Sequence, residues 1–452
     1  MLSDPAEARS RPLRSRWRGI VFGTFLMIAA AGMLVASRAA PFYLLGVLLA
    51  SFFVADWRRV LRIRLDVAFP VLVPALLLAL FAGLSALWAQ APAAALEKSA
   101  VAVAVVVATA IIVAAMDQFD RMERLHVSEG LWIGVLAGVT FAAIEIYSGQ
   151  IILRSLVNLL KLPQGSLTPP EFYRFTRGGY LFWISPVAIA RNIAPLSLML
   201  WPAIVAVQGY VGGWLRSTLI ALLLFISVLA IMGSVHEASK LAIVVGGTAW
   251  VIGYVSTRWA TGLLRAVWLA ATLLPVPIAV VMYEAGLHKV SWLQYSAKHR
   301  VEIWHRSALN AVQSPIIGNG AMSTYVASER FARNDPLSRL APPHQHNVFL
   351  QIWDELGIIG ALLLAWFGWR LIGVIAGFEQ RLRPYAFALF ASSAALAAAS
   401  YGLWQIWFLA TFGMAFVAFA AGRLAHRSWR SGDGSAGDVN GVGRDHSSVG
   451  LR

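Results

Sequence analysis

The chain has 452 residues, 59% of them hydrophobic and 13% charged, which excludes both a disordered chain and an ordinary soluble domain. With no cysteine, disulfides, thiolate catalysis and Cys-ligated metals are excluded. The formal net charge of +15 would suggest nucleic acid as the partner of a soluble protein; here the arginines flank long apolar runs, where they orient helices in a bilayer, and no nucleic acid is expected.

Residues 1–18 form a basic tail ahead of the first apolar run. No small-residue cleavage site closes that run, so it reads as an uncleaved first span. Twelve runs approach the length needed to cross a hydrocarbon core of ~30 Å: 19–36, 41–55, 68–88, 99–116, 130–148, 192–209, 217–234, 240–257, 263–285, 347–369, 384–400 and 403–422. The second is short. The pattern predicts an all-α polytopic membrane protein with about twelve transmembrane helices. With the N-terminus cytoplasmic, inside segments hold clusters such as Arg58, Arg59, Arg62 and Arg64, or Arg370, Arg381 and Arg383. The short outside loops hold Arg38, Lys98 and Lys240. This positive-inside bias places both termini in the cytoplasm.

The chain thus divides into the tail, nine spans over 19–285 with an outside loop at 149–191, a long outside loop at 286–346, three spans over 347–422, and a Gly/Ser-rich cytoplasmic tail at 423–452 that is expected to be disordered. Both outside segments are basic. Residues 149–191 carry Arg154, Lys161, Arg174, Arg177 and Arg191 against Glu171. Residues 286–346 carry Lys289, Lys298, Arg300, Arg306, Arg330, Arg333 and Arg339 against Glu302, Glu329 and Asp335. Such a surface suggests anionic ligands such as phosphate or diphosphate; attraction to the anionic head groups of membrane lipids is the alternative.

The tenth run opens unusually: "PPHQHNVFLQIWDELGIIG", Pro342 to Gly360. Read as a helix, His346, Leu350, Trp353, Gly357 and Gly360 share one stripe. Gly357 and Gly360 then permit close approach of a neighbouring helix, and His346 stands about 16 Å above Gly357. Pro342 and Pro343 pre-set entry into the helix. His346 is a candidate general base; an interfacial structural histidine is the alternative. His344 and His346 point to different sides of a helix, which argues against a shared metal. Asp354 and Glu355 either orient a neighbour or serve helix-start electrostatics.

Upstream, Arg300, Trp304 and Ala308 have helical spacing, so "SAKHRVEIWHRSALNAVQ" predicts a short outside helix that "SPIIGNG" turns back. Arg306 points elsewhere. Arg191 stands just before the sixth span, placed for a lipid-linked phosphate or for snorkelling.

His346-Asn347, nine residues, Gly357, two residues, Gly360 resembles the signature of bacterial O-antigen ligases. "HRVEIWHRSALNAVQSPIIGNG" is similar to the Arg…Trp…Pro-x-x-Gly-x-Gly segment that precedes it in that superfamily, which includes ligases, some polysaccharide polymerases and protein O-oligosaccharyltransferases. The resemblance implies a metal-independent, cofactor-free glycosyltransferase of GT-C architecture in the bacterial inner membrane. It implies inverting transfer of a glycan from undecaprenyl diphosphate to lipid A-core on the periplasmic side, in lipopolysaccharide biosynthesis. It implies that His346 is the base and that Arg191 and Arg300, helped by Lys240 or Arg306, bind the diphosphate. The chain departs from the family at "GSVHEASKLA", where relatives often carry a Ser-Arg pair; His236 and Glu237 lie on the same edge. A polymerase of the same superfamily shares the donor chemistry. An anion transporter would need an internal repeat, and none is apparent.

Overall fold

The computed structural model describes residues 12–56, 65–163, 167, 170–327 and 345–433. His344, Pro342, Pro343, Arg330, Arg333 and Arg339 lie outside the described residues.

The chain is a helical multi-pass membrane protein. Its helices are α1 Pro12–Val35, α2 Ala40–Val54, α3 Leu65–Leu84, α4 Pro92–Met116, α5 Arg121–Tyr147, α6 Ile151–Leu159, α7 Pro186–Tyr210, α8 Gly213–Gly233, α9 Glu237–Val255, α10 Thr257–Leu273, α11 Pro275–Glu284, α12 Tyr295–Ala311, α13 Val348–Ala376, α14 Arg383–Ala399 and α15 Ile406–Asp433. Among the described residues ten helices are long and apolar enough to cross a membrane. All twelve expected runs are helical, but two differ from a plain span. The ninth is the pair α10 and α11, bent by 73°, where Pro275 brings no amide to continue α10. The eleventh, α14, has 17 residues.

The loop after α5 holds α6 and a two-stranded antiparallel hairpin, β1 Tyr173–Phe175 and β2 Leu181–Ile184. Two expectations need correction. The last helix continues past residue 422 to Asp433, with Leu424 and Ala425 buried, so the start of the supposed disordered tail is helix; residues 434–452 lie outside the described residues. The tightest helix packing is also elsewhere than expected. On α1 and α5, a Cβ on Gly130 would lie 2.1 Å from the Gly23 carbonyl oxygen, and one on Gly134 would lie 2.4 Å from that of Met27. Small residues four apart let these two backbones touch. The start of α5 is set by a capping box, in which Asp120 Oδ1 accepts from the Glu123 amide (2.9 Å) and Glu123 Oε2 accepts from the Asp120 amide (2.9 Å).

Helix α7 is the central post. From Ile193 to Val207 every residue is buried, against α1, α5, α8, α14 and α15. Large apolar side chains such as Phe42, Phe53, Trp214 and Val255 are exposed instead on the outside of the bundle. That is the inside-out distribution that lipid as solvent allows. Among the described residues, Ser37 and Arg38, the hairpin residue Tyr173, His236, Gln345–Asn347 and Ser400–Tyr401 come together at one end of the bundle, here the site end.

Candidate active site

The site is built on a broken helix. Gly357 has φ 60° and ψ −158°, non-helical values that only glycine adopts without strain. The break frees backbone groups on both sides, and the Ser314–Gly320 loop takes them up. The Ile358 amide donates to the Pro315 carbonyl (2.9 Å) and the Ile359 amide to that of Ile316 (3.3 Å). The Asp354 and Glu355 carbonyls accept from the amides of Asn319 (2.9 Å) and Gly320 (2.9 Å). A Cβ on Gly357 would lie 2.5 Å from the Ile316 oxygen, and one on Gly318 2.3 Å from the Glu355 carbonyl carbon. The two motifs are therefore two halves of one junction. Gly357 does not face a neighbouring helix, as expected, but this loop. Gly360 does not either: its missing side chain makes room for Leu356 and Ile352 of its own helix.

Asp354 and Glu355 complete the junction. Asp354 accepts from the side-chain amides of Asn310 (2.5 Å), Asn319 (3.1 Å) and Gln345 (2.9 Å). Glu355 accepts from the Met322 amide (3.1 Å), from Gln351 (3.2 Å) and from the Trp404 indole. Both carboxylates are buried, and buried carboxylates are tolerated when donors surround them. Together they tie α12, the Ser314–Gly320 loop, Gln345 and the α14–α15 connection to one turn of α13.

His346 stands on this base, but not on the helix stripe. Asn347 is the N-cap of α13, accepting from the amides of Phe349 (3.0 Å) and Leu350 (3.1 Å). His346 lies one residue before it, with φ 56°, a conformation that costs a non-glycine residue energy and must be held by its surroundings. What holds it is a bond from Nδ1 to the Ser400 carbonyl, 2.6 Å. A carbonyl only accepts, so Nδ1 carries the proton and Nε2 of the neutral ring has the lone pair. Burial, then Arg300, lowers the His346 pKa, and the Ser400 bond opposes that shift. The ring is therefore neutral at pH 7 with its acceptor nitrogen defined.

The remaining groups converge on the Ser400–Tyr401 connection. Arg300 rides on α12, which Trp304 fixes by donating to the Gln345 carbonyl (2.8 Å). Its guanidinium is partly buried, which lowers its pKa, yet arginine remains charged. Arg191, in the second turn of α7, lies close enough to Tyr401 to act on its hydroxyl and 5.9 Å from the Trp407 ring. Its neighbour Asn192 accepts from the Ser37 amide (3.0 Å) and hydroxyl (2.8 Å) and donates to the Val35 carbonyl (2.6 Å). That clamp on the α1–α2 corner brings Arg38 into electrostatic range of Arg191 and Tyr401. Tyr401 thus feels three guanidiniums, while burial, the largest influence, raises its pKa.

His236, the residue before α9, stacks on Tyr401 at 5.6 Å and 11°. Its Nδ1 meets the Ser239 hydroxyl at 2.7 Å and its Nε2 the Ser400 hydroxyl at 3.4 Å. Burial first, then Arg300, Arg191 and His346, lowers its pKa to about 4.

Of the residues expected at the site, Arg191, Arg300 and His346 come together. Lys240 instead pairs with Glu237 (2.9 Å) one turn into α9, and Arg306 is exposed on α12. Neither is among the charges acting on His236 or His346. Sequence reasoning missed Arg38 and the Ser400–Tyr401 connection. Arg38 had left a weak signal: with Lys98 and Lys240 it was one of the few cations in the short loops expected outside. Ser400 and Tyr401 had left none beyond a polar break between two apolar runs.

The arrangement offers the His346 imidazole beside Arg300, and three guanidiniums, Arg191, Arg300 and Arg38, around the adjoining Tyr401. It is equipped to take a proton from a hydroxyl and to balance charge on phosphate oxygens.

Comparison with known proteins bears on this geometry. The sequence profile of the O-antigen ligase family matches residues 222–365, which include His236, Arg300, His346, Gly357 and Gly360. A Rickettsia conorii protein provisionally named polysaccharide ligase is 30% identical over 255 residues, 53% of this chain and 60% of its own length. A Rickettsia felis protein of the same name is 30% identical over 227 residues, 49% of this chain and 55% of its own. One from Rickettsia prowazekii is 29% identical over 226 residues, 48% and 55%. The chain spans little more than half the length of these relatives. The resemblance drawn from the two motifs is borne out.

Proposed function

Because residues 222–365 belong to the O-antigen ligase family, we propose that this chain transfers a glycan from a lipid diphosphate to the hydroxyl of an acceptor glycolipid. The donor is undecaprenyl diphosphate-linked glycan and the acceptor lipid A-core, at the periplasmic face of the inner membrane. The site end is then periplasmic, and both termini are cytoplasmic. The observation that carries the reading is the bond from His346 Nδ1 to the Ser400 carbonyl, made beside Arg300.

Transfer begins with Arg191, Arg300 and Arg38 gripping the diphosphate. Arg38 replaces Lys240 and Arg306 in the role that the sequence suggested for those two. As the acceptor hydroxyl attacks the anomeric carbon from the face opposite the diphosphate, His346 Nε2 takes its proton. The glycosyl–oxygen bond to phosphate breaks, its electrons pass to the diphosphate, and the guanidiniums stabilise that charge. The anomeric configuration inverts. The proton resting on His346 later leaves to solvent.

The test is glycan transfer by His346→Ala in membranes or proteoliposomes. Expression should be normal and transfer lost; full transfer would remove His346 from the role of base. Arg191→Lys and Arg300→Lys keep the charge but lose the two-pronged donor, and each should cut transfer. In cells lacking the protein, long glycans should accumulate on the lipid carrier. Single repeat units there would identify a polymerase instead.

A further inference from the structure

Helix α6 does not belong to the bundle, and its outer face is unexplained by the site. It follows α5 after three residues, Ser148 to Gln150. Glu145, in the last turn of α5, accepts from its first amides, Ile152 (2.8 Å) and Leu153 (3.2 Å), so the helix starts where the span ends. One face, Leu153 and Val157, packs on Leu181 and Ile184 of the hairpin. Arg154 and Asn158 lock that contact through the Phe182 carbonyl (2.8 Å) and both backbone groups of Leu181 (2.9 and 2.7 Å).

The other face bears Ile152, Leu156, Leu159 and Leu160, all exposed, Leu159 by 77%. The spacing of four, three and one makes a single stripe. Helix α6 comes three residues after α5, a helix long and apolar enough to cross a membrane, whose last turn also exposes Ile144 and Tyr147. Exposed Lys161 closes its end.

We propose that α6 lies in the bilayer interface with Ile152, Leu156 and Leu159 in the acyl boundary and Lys161 among anionic head groups. The surface is thus a lipid-docking face. The start of α6 at the very end of a candidate span, tied to it through Glu145, selects lipid as the occupant, and the cation selects an anionic leaflet. One consequence rests on the proposed function: the hairpin that α6 carries includes Tyr173, which lies in electrostatic range of Arg38 and Arg191. Seating α6 in lipid would hold that wall of the site at the height of a lipid diphosphate.

The absence of cysteine from the chain makes the test clean. Leu156→Cys, Leu159→Cys and, on the hairpin turn, Arg177→Cys are each labelled with an environment-sensitive fluorophore in the full chain. The carriers are vesicles of phosphatidylcholine with a minority of phosphatidylglycerol. Probes at positions 156 and 159 should be quenched several-fold more by a nitroxide high on the lipid acyl chain than by aqueous iodide. The probe at 177 should show the reverse. Adding Lys161→Glu, or omitting phosphatidylglycerol, should reduce the lipid quenching at 159. Iodide quenching at 156 and 159 would overturn the proposal, and so would protection from both quenchers, which means a protein contact such as a second copy. The readout needs no activity, so its failure is distinct from failure of the transferase reading.

Discussion

Two of the close contacts that glycine makes in this molecule do different work. Between α1 and α5, Gly130 and Gly134 delete side chains so that two intact helices touch. No backbone bond is broken and nothing polar needs a new partner. At Gly357 the glycine breaks the helix, and the Ser314–Gly320 loop must replace the lost bonds. The first contact serves stability alone. The second fixes the loop, the two carboxylates and the residues that flank His346 at once. A span can therefore be packed or interrupted by the same residue type, and only the interrupted one leaves polar groups free to assemble a site.

The sharpest way to break this contrast is Gly357→Ala. Its φ and ψ lie where other residues are strained by ~1–3 kcal/mol, and a Cβ would strike the Ile316 carbonyl oxygen, which is backbone and cannot swing aside. His346 should move, and a displacement of ~1 Å costs on the order of a hundredfold in rate. Glycan transfer per folded molecule should fall by that factor. An unchanged rate would show that the junction does not position the site.

Asp354→Ala comes next. It leaves three side-chain amides, from Asn310, Asn319 and Gln345, without their acceptor. An unpaired buried group costs ~1–3 kcal/mol, so the variant should lose thermal stability and transfer together, roughly tenfold in rate. Asp354→Asn keeps the shape and should recover part of both losses. Gly130→Ala should separate the two measurements. Overpacking the α1–α5 contact costs ~1–3 kcal/mol, which a thermal-shift assay reads, while transfer per folded molecule stays at the wild-type value.

These variants also mark what the sequence made legible. The spans were visible because apolar runs of that length have one use, and Arg191, Arg300 and His346 were visible because charge at a membrane edge needs a reason. The break at Gly357 was not. A glycine in an apolar helix reads equally as a packing site, and the partner that satisfies the broken bonds sits about forty residues upstream in a loop. Asp354 and Glu355 were unexplained for the same reason, since their donors come from four separate segments. Arg38 shows a different failure. It was counted only as one of the few cations in the short loops, and its place beside Arg191 depends on the Asn192 clamp, a contact across 155 residues. Strands as short as Tyr173–Phe175 have too little alternation to register.

The smallest expected effect concerns His236, and pH reads it. In the proposed role of proton acceptor His346 must be neutral, and its pKa is held below the ordinary 6.5, chiefly by burial. Transfer should therefore be flat near neutrality and fall on acidification only below the usual histidine range. The bond to the Ser400 carbonyl works the other way and raises that pKa. His236 steadies Ser400 through the contact to its hydroxyl and the stack on Tyr401. His236→Phe retains an aromatic face but not the hydroxyl contact; His236→Ala loses both. Each should loosen the Ser400 carbonyl, move the acid limb to lower pH and reduce the plateau a few-fold, Ala more than Phe. A purely structural role would lower the plateau without moving the limb. A limb that stays in place in both variants would confine His236 to packing and show that the Ser400 bond tunes His346 without its help.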